Sequence, residues 1–121
     1  MSAQVEYASD GIVTMKVSGT LTESELIQAQ QAMAKIIRAQ GKVRILVLTE
    51  NFSGWGKGGD WADLSFQEEF DPCIEKMAIV GEKRWEELAM IFVASGLRTF
   101  PIEYFVSGEL DKARAWLKAV A

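Results

Sequence analysis

A glycine-rich run in the middle of the chain has the residue types and spacing of a phosphate-binding loop. Residues 54–59 read Gly-Trp-Gly-Lys-Gly-Gly, which matches the G-x-G-x-x-G pattern of dinucleotide sites. The glycines begin several residues after the apolar run Val43 to Leu48, however, and Glu82 follows later than the ~20-residue spacing of that pattern. The chain also lacks room for a second mononucleotide-binding half. We therefore expect no NAD site, and no Gly-Lys-Ser/Thr is placed to form a P-loop.

Side chains for acid-base and metal chemistry are scarce. The chain has no histidine and one cysteine, which excludes Ser-His-Asp and Cys-His sites, histidine-bearing metal sites and multi-cysteine zinc sites. Paired carboxylates occur in three places, at Glu68-Glu69-Asp71, Glu86-Glu87 and Glu109-Asp111. Each group lies within one predicted element, whereas a glycosidase needs carboxylates on facing walls of a cleft. We expect no catalytic residue, metal or cofactor; an enzyme remains an alternative only if lysine or carboxylate groups act inside a cavity.

Composition indicates one globular domain spanning residues 1–121. The chain is 49% hydrophobic with a net charge of -4, so it offers no basic face for nucleic acid. Its apolar runs are too short to span a membrane, and Met1 to Glu6 lacks the features of a signal peptide. We expect a cytoplasmic protein, in which Cys73 is a small buried apolar residue.

Hydrophobic periodicity predicts the element order ββαβαβαβα. Two strands form a hairpin around Asp10-Gly11, the second running from Ile12 to Val17. The apolar runs Val43 to Leu48 and Met77 to Val80 indicate parallel strands covered on both faces, and Ile102 to Val106 is a further strand. The sequence thus predicts an α/β fold with a mostly parallel sheet, an antiparallel N-terminal hairpin at its edge and flanking helices.

Helix boundaries are marked by capping residues. Thr22 to Glu25 forms a capping box and Gly41 ends the first helix. A second helix begins at Asp60 and stops at Pro72. A third carries an apolar stripe, and Ser107 caps the fourth. The stripe of the third helix comprises Trp85, Leu88, Ala89, Phe92 and Val93, followed by a stop at Gly96.

The segment from Asn51 to Trp61 is predicted to be a loop rich in glycine and aromatic residues. Its rings need a partner, because glycines cannot hold them in place. Three partners would satisfy them: an apolar cavity, a membrane headgroup region in which Lys57 meets a phosphate, or a homodimer seam. The predicted ligand- or membrane-binding residues are Phe52, Trp55, Lys57, Trp61, Leu64, Phe66 and Phe70. The predicted hinge comprises Gly54, Gly56, Gly58 and Gly59.

Several segments together resemble the bacterial SpoIIAA-like proteins, relatives of the STAS domain with a fold likened to the lipid-binding CRAL-TRIO (SEC14) domain. They are Ser18 to Thr22, Gly41 to Leu46, Phe52 to Trp55, Ala78 to Glu86, Tyr104-Phe105 and Leu110 to Leu117. The resemblance spans nearly the whole chain and implies a non-catalytic sensing or binding module. It also implies that Ser53 corresponds to the phosphorylated serine of anti-sigma-factor antagonists, with Asn51 in place of an aspartate.

These observations support two hypotheses. The first is a non-enzymatic module that encloses a small apolar or lipid-like ligand under a glycine-hinged aromatic lid, with peripheral contact at the inner face of the membrane. The alternative is a STAS-type protein-interaction domain switched at Ser53. A minor anion site is predicted at Gly81, Lys83 and Arg84, at a helix start.

Overall fold

The computed structural model describes residues 3–8, 10–56, 65–93 and 98–119. Within them the order of strands and helices is ββαβαβαβα, as predicted, with 3-10 turns at Asp71–Cys73 and Lys83–Trp85. The strands are β1 (Ala3–Tyr7), β2 (Ile12–Leu21), β3 (Val43–Trp55), β4 (Ile74–Gly81) and β5 (Ile102–Val106). The helices are α1 (Glu23–Gln40), α2 (Ser65–Phe70), α3 (Glu86–Phe92) and α4 (Leu110–Lys118).

The described strands form one sheet in the order β1-β2-β3-β4-β5. β1 pairs with β2 antiparallel, and each later strand is parallel to its neighbour. At the hairpin, the Ile12 amide donates to the Asp10 carboxylate (3.1 Å) and Gly11 has a φ of 83°. The predicted sheet, with its antiparallel edge, is confirmed.

Side chains alternate between two buried layers along the central strands. Ile45 lies in the larger core with Met33 of α1, whereas Leu46, the next residue, lies in a smaller core with Leu117 of α4. Because β3 and β4 are covered on both faces, their sequences are continuously apolar rather than alternating. The larger core, on the side of α1, holds the candidate site.

The predicted ends of α1 are confirmed. The Glu25 amide donates to the Thr22 hydroxyl (3.3 Å), which in turn donates to the Glu25 carboxylate (2.7 Å). At the other end, the amide of Gly41, with a φ of 90°, donates to the Ile37 carbonyl (2.7 Å). The hydroxyl and the glycine therefore fix the two ends of the helix that covers the larger core.

The predicted cap of the last helix is wrong. α4 begins at Leu110 with Glu109 as its N-cap. Ser107 instead belongs to a turn, where its amide donates to the Gly81 carbonyl (2.8 Å) and Gly108 has a φ of 95°. The Ser107 backbone thus extends the pairing between β4 and β5, which delays the start of the helix.

The loop prediction is wrong for residues 51–55, which belong to β3. β2 is also longer than predicted, and its last three residues, Gly19, Thr20 and Leu21, pair with the added part of β3. The register shifts on both sides of Gly19, and positive φ angles at Gly19 (65°), Asn51 (50°) and Gly54 (104°) accompany these irregularities. β-bulges favour glycine and asparagine at such positions, and the same residue types in the sequence pattern indicate a turn.

Part of the predicted aromatic segment lies outside the described residues. This applies to Lys57, Gly58, Gly59, Asp60, Trp61 and Leu64, as well as to the predicted helix stop at Gly96. The described end of α2 is at Phe70, followed by a 3-10 turn that contains Pro72. Within the described part of the chain, no helix has the length and apolar character needed to cross a bilayer.

Candidate functional site

A cavity of about 240 Å³ lies between the sheet and the helices α1, α2 and α3. Its floor is the sheet face that carries the larger core, where Thr49 and Tyr104 accompany six apolar residues: Met15, Val17, Ile45, Val47, Met77 and Ile79. The six apolar residues come from three adjacent strands at alternate positions, which is how parallel strands present one continuous apolar face. The helices line the cavity above this floor and leave it partly open to solvent.

One wall of the cavity is a cluster of four aromatic rings. Phe52 contacts Trp55 and Trp85 edge to face, with ring centroids 5.1 and 5.0 Å apart. Trp55 in turn lies 6.0 Å from Trp85 and 5.1 Å from Phe92. All four rings line the cavity. The cluster joins the end of β3 to α3 and its preceding turn, and such pairs contribute ~1 kcal/mol each beyond the area they bury.

Gly54 permits the contact between strand and cluster. A Cβ at this position would lie 3.3 Å from Cη2 of Trp85, and the φ of 104° is one that other residues rarely adopt. Trp85 therefore packs directly on the backbone of β3.

Gly81 has a similar role at the end of β4. A Cβ there would collide with the hydroxyls of Thr49 and Tyr104. These hydroxyls donate to the backbone carbonyls of Val80 (2.9 Å) and Glu82 (2.6 Å), respectively. Burial, with smaller contributions from Glu86 and Glu82, raises the pKa of Tyr104 above its usual value. The phenol thus remains protonated at neutral pH, and both hydroxyl protons are used within the protein.

Charged side chains at the cavity are few. Arg98 lines it but is held by Asp71 through two short bonds (2.6 and 2.7 Å) and by the Val93 carbonyl (3.0 Å). Both partners of this ion pair are largely buried. Glu23, at the start of α1, is the other ionic lining residue described. Among the described residues, no three histidine, cysteine, aspartate or glutamate side chains are grouped to hold a metal ion.

Two polar atoms in the aromatic wall have no hydrogen-bond partner among the described residues. They are the indole nitrogens of Trp55 and Trp85, and both are buried. A buried N–H donor without an acceptor costs about 1 to 3 kcal/mol. The aromatic wall is therefore built of apolar rings, and its two buried indole N–H groups have no acceptor among the described residues.

The structure brings together three of the predicted binding residues. Phe52, Trp55 and Phe66 line the cavity. Phe70 is buried beside it, 5.0 Å from Phe66 and under the guanidinium of Arg38 (5.2 Å). Lys57, Trp61 and Leu64 lie outside the described residues.

Sequence reasoning missed Trp85, Phe92, Arg98 and Tyr104 as cavity residues. The apolar stripe predicted for α3 contains Trp85 and Phe92, and the structure places both in the cavity wall. Leu88, in the same stripe, is 51% exposed. The helical period indicated an apolar face, but it could not indicate that this face meets the end of β3.

The remaining predicted sites are the glycine hinge, the phosphosite and the minor anion site. Two of the predicted hinge glycines are held by β2. Gly54 of β3 pairs with Thr20, and the amide of Gly56 donates to the Leu21 carbonyl (2.7 Å), so neither lies in a free loop. Ser53 is exposed in β3. Gly81 is the last residue of β4, whereas Lys83 and Arg84 are exposed and pair with Glu86 and Glu82. The hydrogen bond to Glu86 raises the pKa of Lys83.

Comparison with known proteins identifies relatives of this fold. The family model described as SpoIIAA-like matches residues 12–118. A crystal structure of an uncharacterised protein of the DUF3478 family from Shewanella loihica PV-4, described as having a SpoIIAA-like fold, superposes with a TM-score of 0.72 at 19% sequence identity. The superposition covers 95% of this chain and 91% of that chain. At this identity the likeness shows the fold alone. No curated protein matches the chain.

Proposed function

The chain belongs to the SpoIIAA-like family, and from this premise we propose that it is a non-enzymatic binding or sensing module that encloses a small apolar or lipid-like ligand. The fold supports a regulatory role in general terms. The observation that carries the finer proposal is the cavity of about 240 Å³ between the sheet and α1, α2 and α3. Phe52, Trp55 and Phe66 are its proposed ligand contacts, joined by Trp85 and Phe92.

The size of the cavity favours a ligand over a packing defect. Protein interiors contain few voids larger than a water molecule. An engineered cavity of ~150 Å³ accepts benzene, so this one accommodates a molecule of about ten non-hydrogen atoms.

The polar groups of the cavity support binding rather than catalysis. Arg98 is held by Asp71, and Tyr104 donates to a backbone carbonyl. Thr49 likewise donates to the Val80 carbonyl. A nucleophile activated by a neighbouring base is the minimum for covalent catalysis, and the described lining residues do not form such a pair.

Native mass spectrometry of gently purified protein tests ligand binding. We expect an additional mass of a small apolar molecule that is released when the protein unfolds, and a rise in Tm when decane is added back. Binding that is confined to the folded state raises stability by about 2.7 kcal/mol at a hundredfold excess over Kd. Absence of a bound molecule, together with an unchanged Tm on addition of apolar compounds, would contradict the proposal.

Peripheral membrane contact is a second part of the proposal. Beside the aromatic wall, α3 exposes Leu88 (51%) and Ile91 (67%), which are the exposed large apolar residues of the described chain. With a net charge of -4, attraction to anionic lipid is weak. We expect flotation with phosphatidylcholine vesicles that the double substitution Leu88→Gln/Ile91→Gln abolishes. Flotation that is absent, or unchanged in the double variant, would count against this contact.

The alternative is a STAS-type protein-interaction domain with a phosphoswitch. The observation that favours it is the exposure of Ser53, which leaves the hydroxyl accessible to a kinase. A partner captured by the wild type should be lost or gained with Ser53→Asp and unaffected by Ser107→Asp, the same substitution at an exposed position of a distant turn. Identical capture by Ser53→Ala, Ser53→Asp and the wild type would eliminate the switch. Sedimentation velocity tests the accompanying proposal of a homodimer.

A further inference from the structure

The residue types that line the cavity narrow the class of ligand. We propose that the cavity selects a compact aromatic compound of about two fused rings over an alkyl chain or a saturated ring compound with the same number of carbons. The inference rests on the proposed function and names the ligand class of the same site. It begins from the rings and thioethers of the lining.

Aromatic side chains are concentrated at the cavity. The chain has six phenylalanines, four tryptophans and two tyrosines. Half of them line this one space: Phe52, Trp55, Phe66, Trp85, Phe92 and Tyr104. They belong to β3, β5, α2, α3 and the turn before α3, so a ligand in the cavity meets rings from the sheet and from the helices.

The rings of the aromatic wall lie at steep angles to one another. Phe52 is nearly perpendicular to Trp55 (86°), and Trp55 is nearly perpendicular to Trp85 (83°). The edge of an aromatic ring carries partial positive charge and its face partial negative charge, so rings prefer perpendicular or offset contacts. Perpendicular rings offer a planar aromatic ligand both kinds of contact. A saturated ligand has no such charge pattern and gains only from burial.

Methionine sulfurs add to the same preference. Three of the five methionines line the cavity, Met15 and Met77 in its floor and Met33 on α1. A thioether beside an aromatic ring is stabilised by the polarisable sulfur. Methionine side chains are also flexible, so they adjust to the shape of a rigid ligand. An alkyl ligand would bury the same side chains without the sulfur–aromatic contribution.

The outline of the apolar floor suits a fused-ring molecule. Val47 of β3 pairs with Met15 of β2 on one side and with Ile79 of β4 on the other. Neighbouring strands lie about 4.8 Å apart, so this row is about 10 Å wide. Each of these strands adds a second apolar residue two positions away, about 7 Å along the strand. The apolar floor is therefore about as wide as it is long, whereas an extended chain would need a narrow channel.

Naphthalene and decalin test the inference, because they share a fused skeleton of ten carbons and differ in aromaticity. Decane supplies the same number of carbons as a chain. Headspace gas chromatography over the protein solution gives each affinity, which is divided by the partition coefficient of the compound between water and hexadecane to remove differences in hydrophobicity. On this scale we expect naphthalene to bind about three- to tenfold more tightly than decalin, the gain from one or two aromatic contacts. Decane should also bind more weakly than naphthalene.

The methionine methyl groups report where the ligand lies. In protein with carbon-13 in these methyl groups, the signals of Met15, Met33 and Met77 should move with naphthalene through its ring current. They should move much less with decalin, which has no ring current. Signals that do not move while naphthalene binds would place the ligand outside the cavity and overturn the inference.

Two variants remove rings from the lining and keep apolar bulk. Phe66→Leu and Phe92→Leu should each lower the preference for naphthalene over decalin at least twofold, while decalin still binds. The two residues belong to α2 and α3, so loss of folding in one variant leaves the other as a test. The control is Phe105→Leu on the other side of the sheet, where Phe105 packs against Trp116. This substitution should leave the preference unchanged.

The outcomes separate the inference from the proposed function. Equal or tighter binding of decalin or decane on the normalised scale overturns the inference and leaves the proposed function standing. A preference for naphthalene that survives in both Phe66→Leu and Phe92→Leu shows that the lining rings do not select the ligand. If none of the three compounds binds to the folded protein, the proposed function fails and the inference fails with it.

Discussion

Packing against Trp85, rather than phosphate binding, explains why residue 54 is a glycine. The sequence pattern of residues 54–59 matches a nucleotide loop, yet Gly54 lies in β3 with the indole of Trp85 against its backbone. The same local pattern is compatible with a turn, a phosphate site or a bulged strand. Only the position of Trp85, 31 residues later, distinguishes them, and no local signal encodes that contact.

Replacing Gly54 should therefore cost more than replacing a glycine with similar φ in open surroundings. Gly108 has a φ of 95°, and a Cβ at that position would meet no atom within 4 Å. We expect Gly108→Ala to lower the free energy of unfolding by about 1 to 2 kcal/mol through backbone strain. Gly54→Ala should cost about 1 to 3 kcal/mol more because of overpacking against Trp85. Urea denaturation measures both, and equal losses would show that the ring contact is unimportant.

The ion pair of Arg98 and Asp71 offers a second test at single residues. Their side chains are 7% and 15% exposed, whereas those of Arg38 and Glu69 are 61% and 59% exposed. Asp71→Asn leaves a buried cation without its partner and should destabilise the protein by about 3 to 5 kcal/mol. Glu69→Gln should change stability by less than about 1 kcal/mol. Similar losses for the two substitutions in thermal unfolding would contradict the difference in burial.

At the level of elements, β4 holds the end of α4 through a buried lysine. Lys76 is 6% exposed, and its Nζ donates to the carbonyls of Trp116 (2.8 Å) and Ala119 (2.9 Å). Arg44 of β3 donates to the carbonyl of Leu117 in the same turn. Cations at a helix C-terminus satisfy carbonyls that the helix leaves free. The sequence predicted a helix at α4, but it did not predict this contact, because a lysine before an apolar run ordinarily marks a strand end in solvent.

Removing the Lys76 ammonium should loosen α4 in particular. Lys76→Met retains the apolar stem and loses both hydrogen bonds, so we expect a loss of about 1.5 to 3 kcal/mol and faster amide exchange in residues 113–119. Lys118→Met, at an exposed position of the same helix, should cost less than about 0.5 kcal/mol. Exchange that accelerates equally in α1 and α4 would assign the effect to global stability instead.

At the level of the whole molecule, periodicity predicted the sheet and left the cavity undefined. The bounds of β5 and the hairpin turn followed from local residue preferences, and the parallel strands from continuous apolar runs. The aromatic wall did not follow, because it assembles Phe52 and Trp55 of β3 with Trp85 and Phe92 around α3. Its existence depends on which ends of two elements meet, and that is decided by the packing of the entire chain.

The cavity leads to opposite predictions for stability and for binding. Ala89 of α3 lines it, and Ala89→Leu places a larger side chain into space that is otherwise available to a ligand. We expect the ligand-free variant to gain about 0.5 to 2 kcal/mol, as cavity-filling substitutions do, and to lose at least tenfold in affinity for decane. Ala115→Leu, on the exposed face of α4, should alter neither quantity. A stabilised Ala89→Leu protein that binds decane as well as the wild type would place the ligand elsewhere. A protein that becomes both more stable and unable to bind would show that the chain keeps this space open at the expense of its own stability.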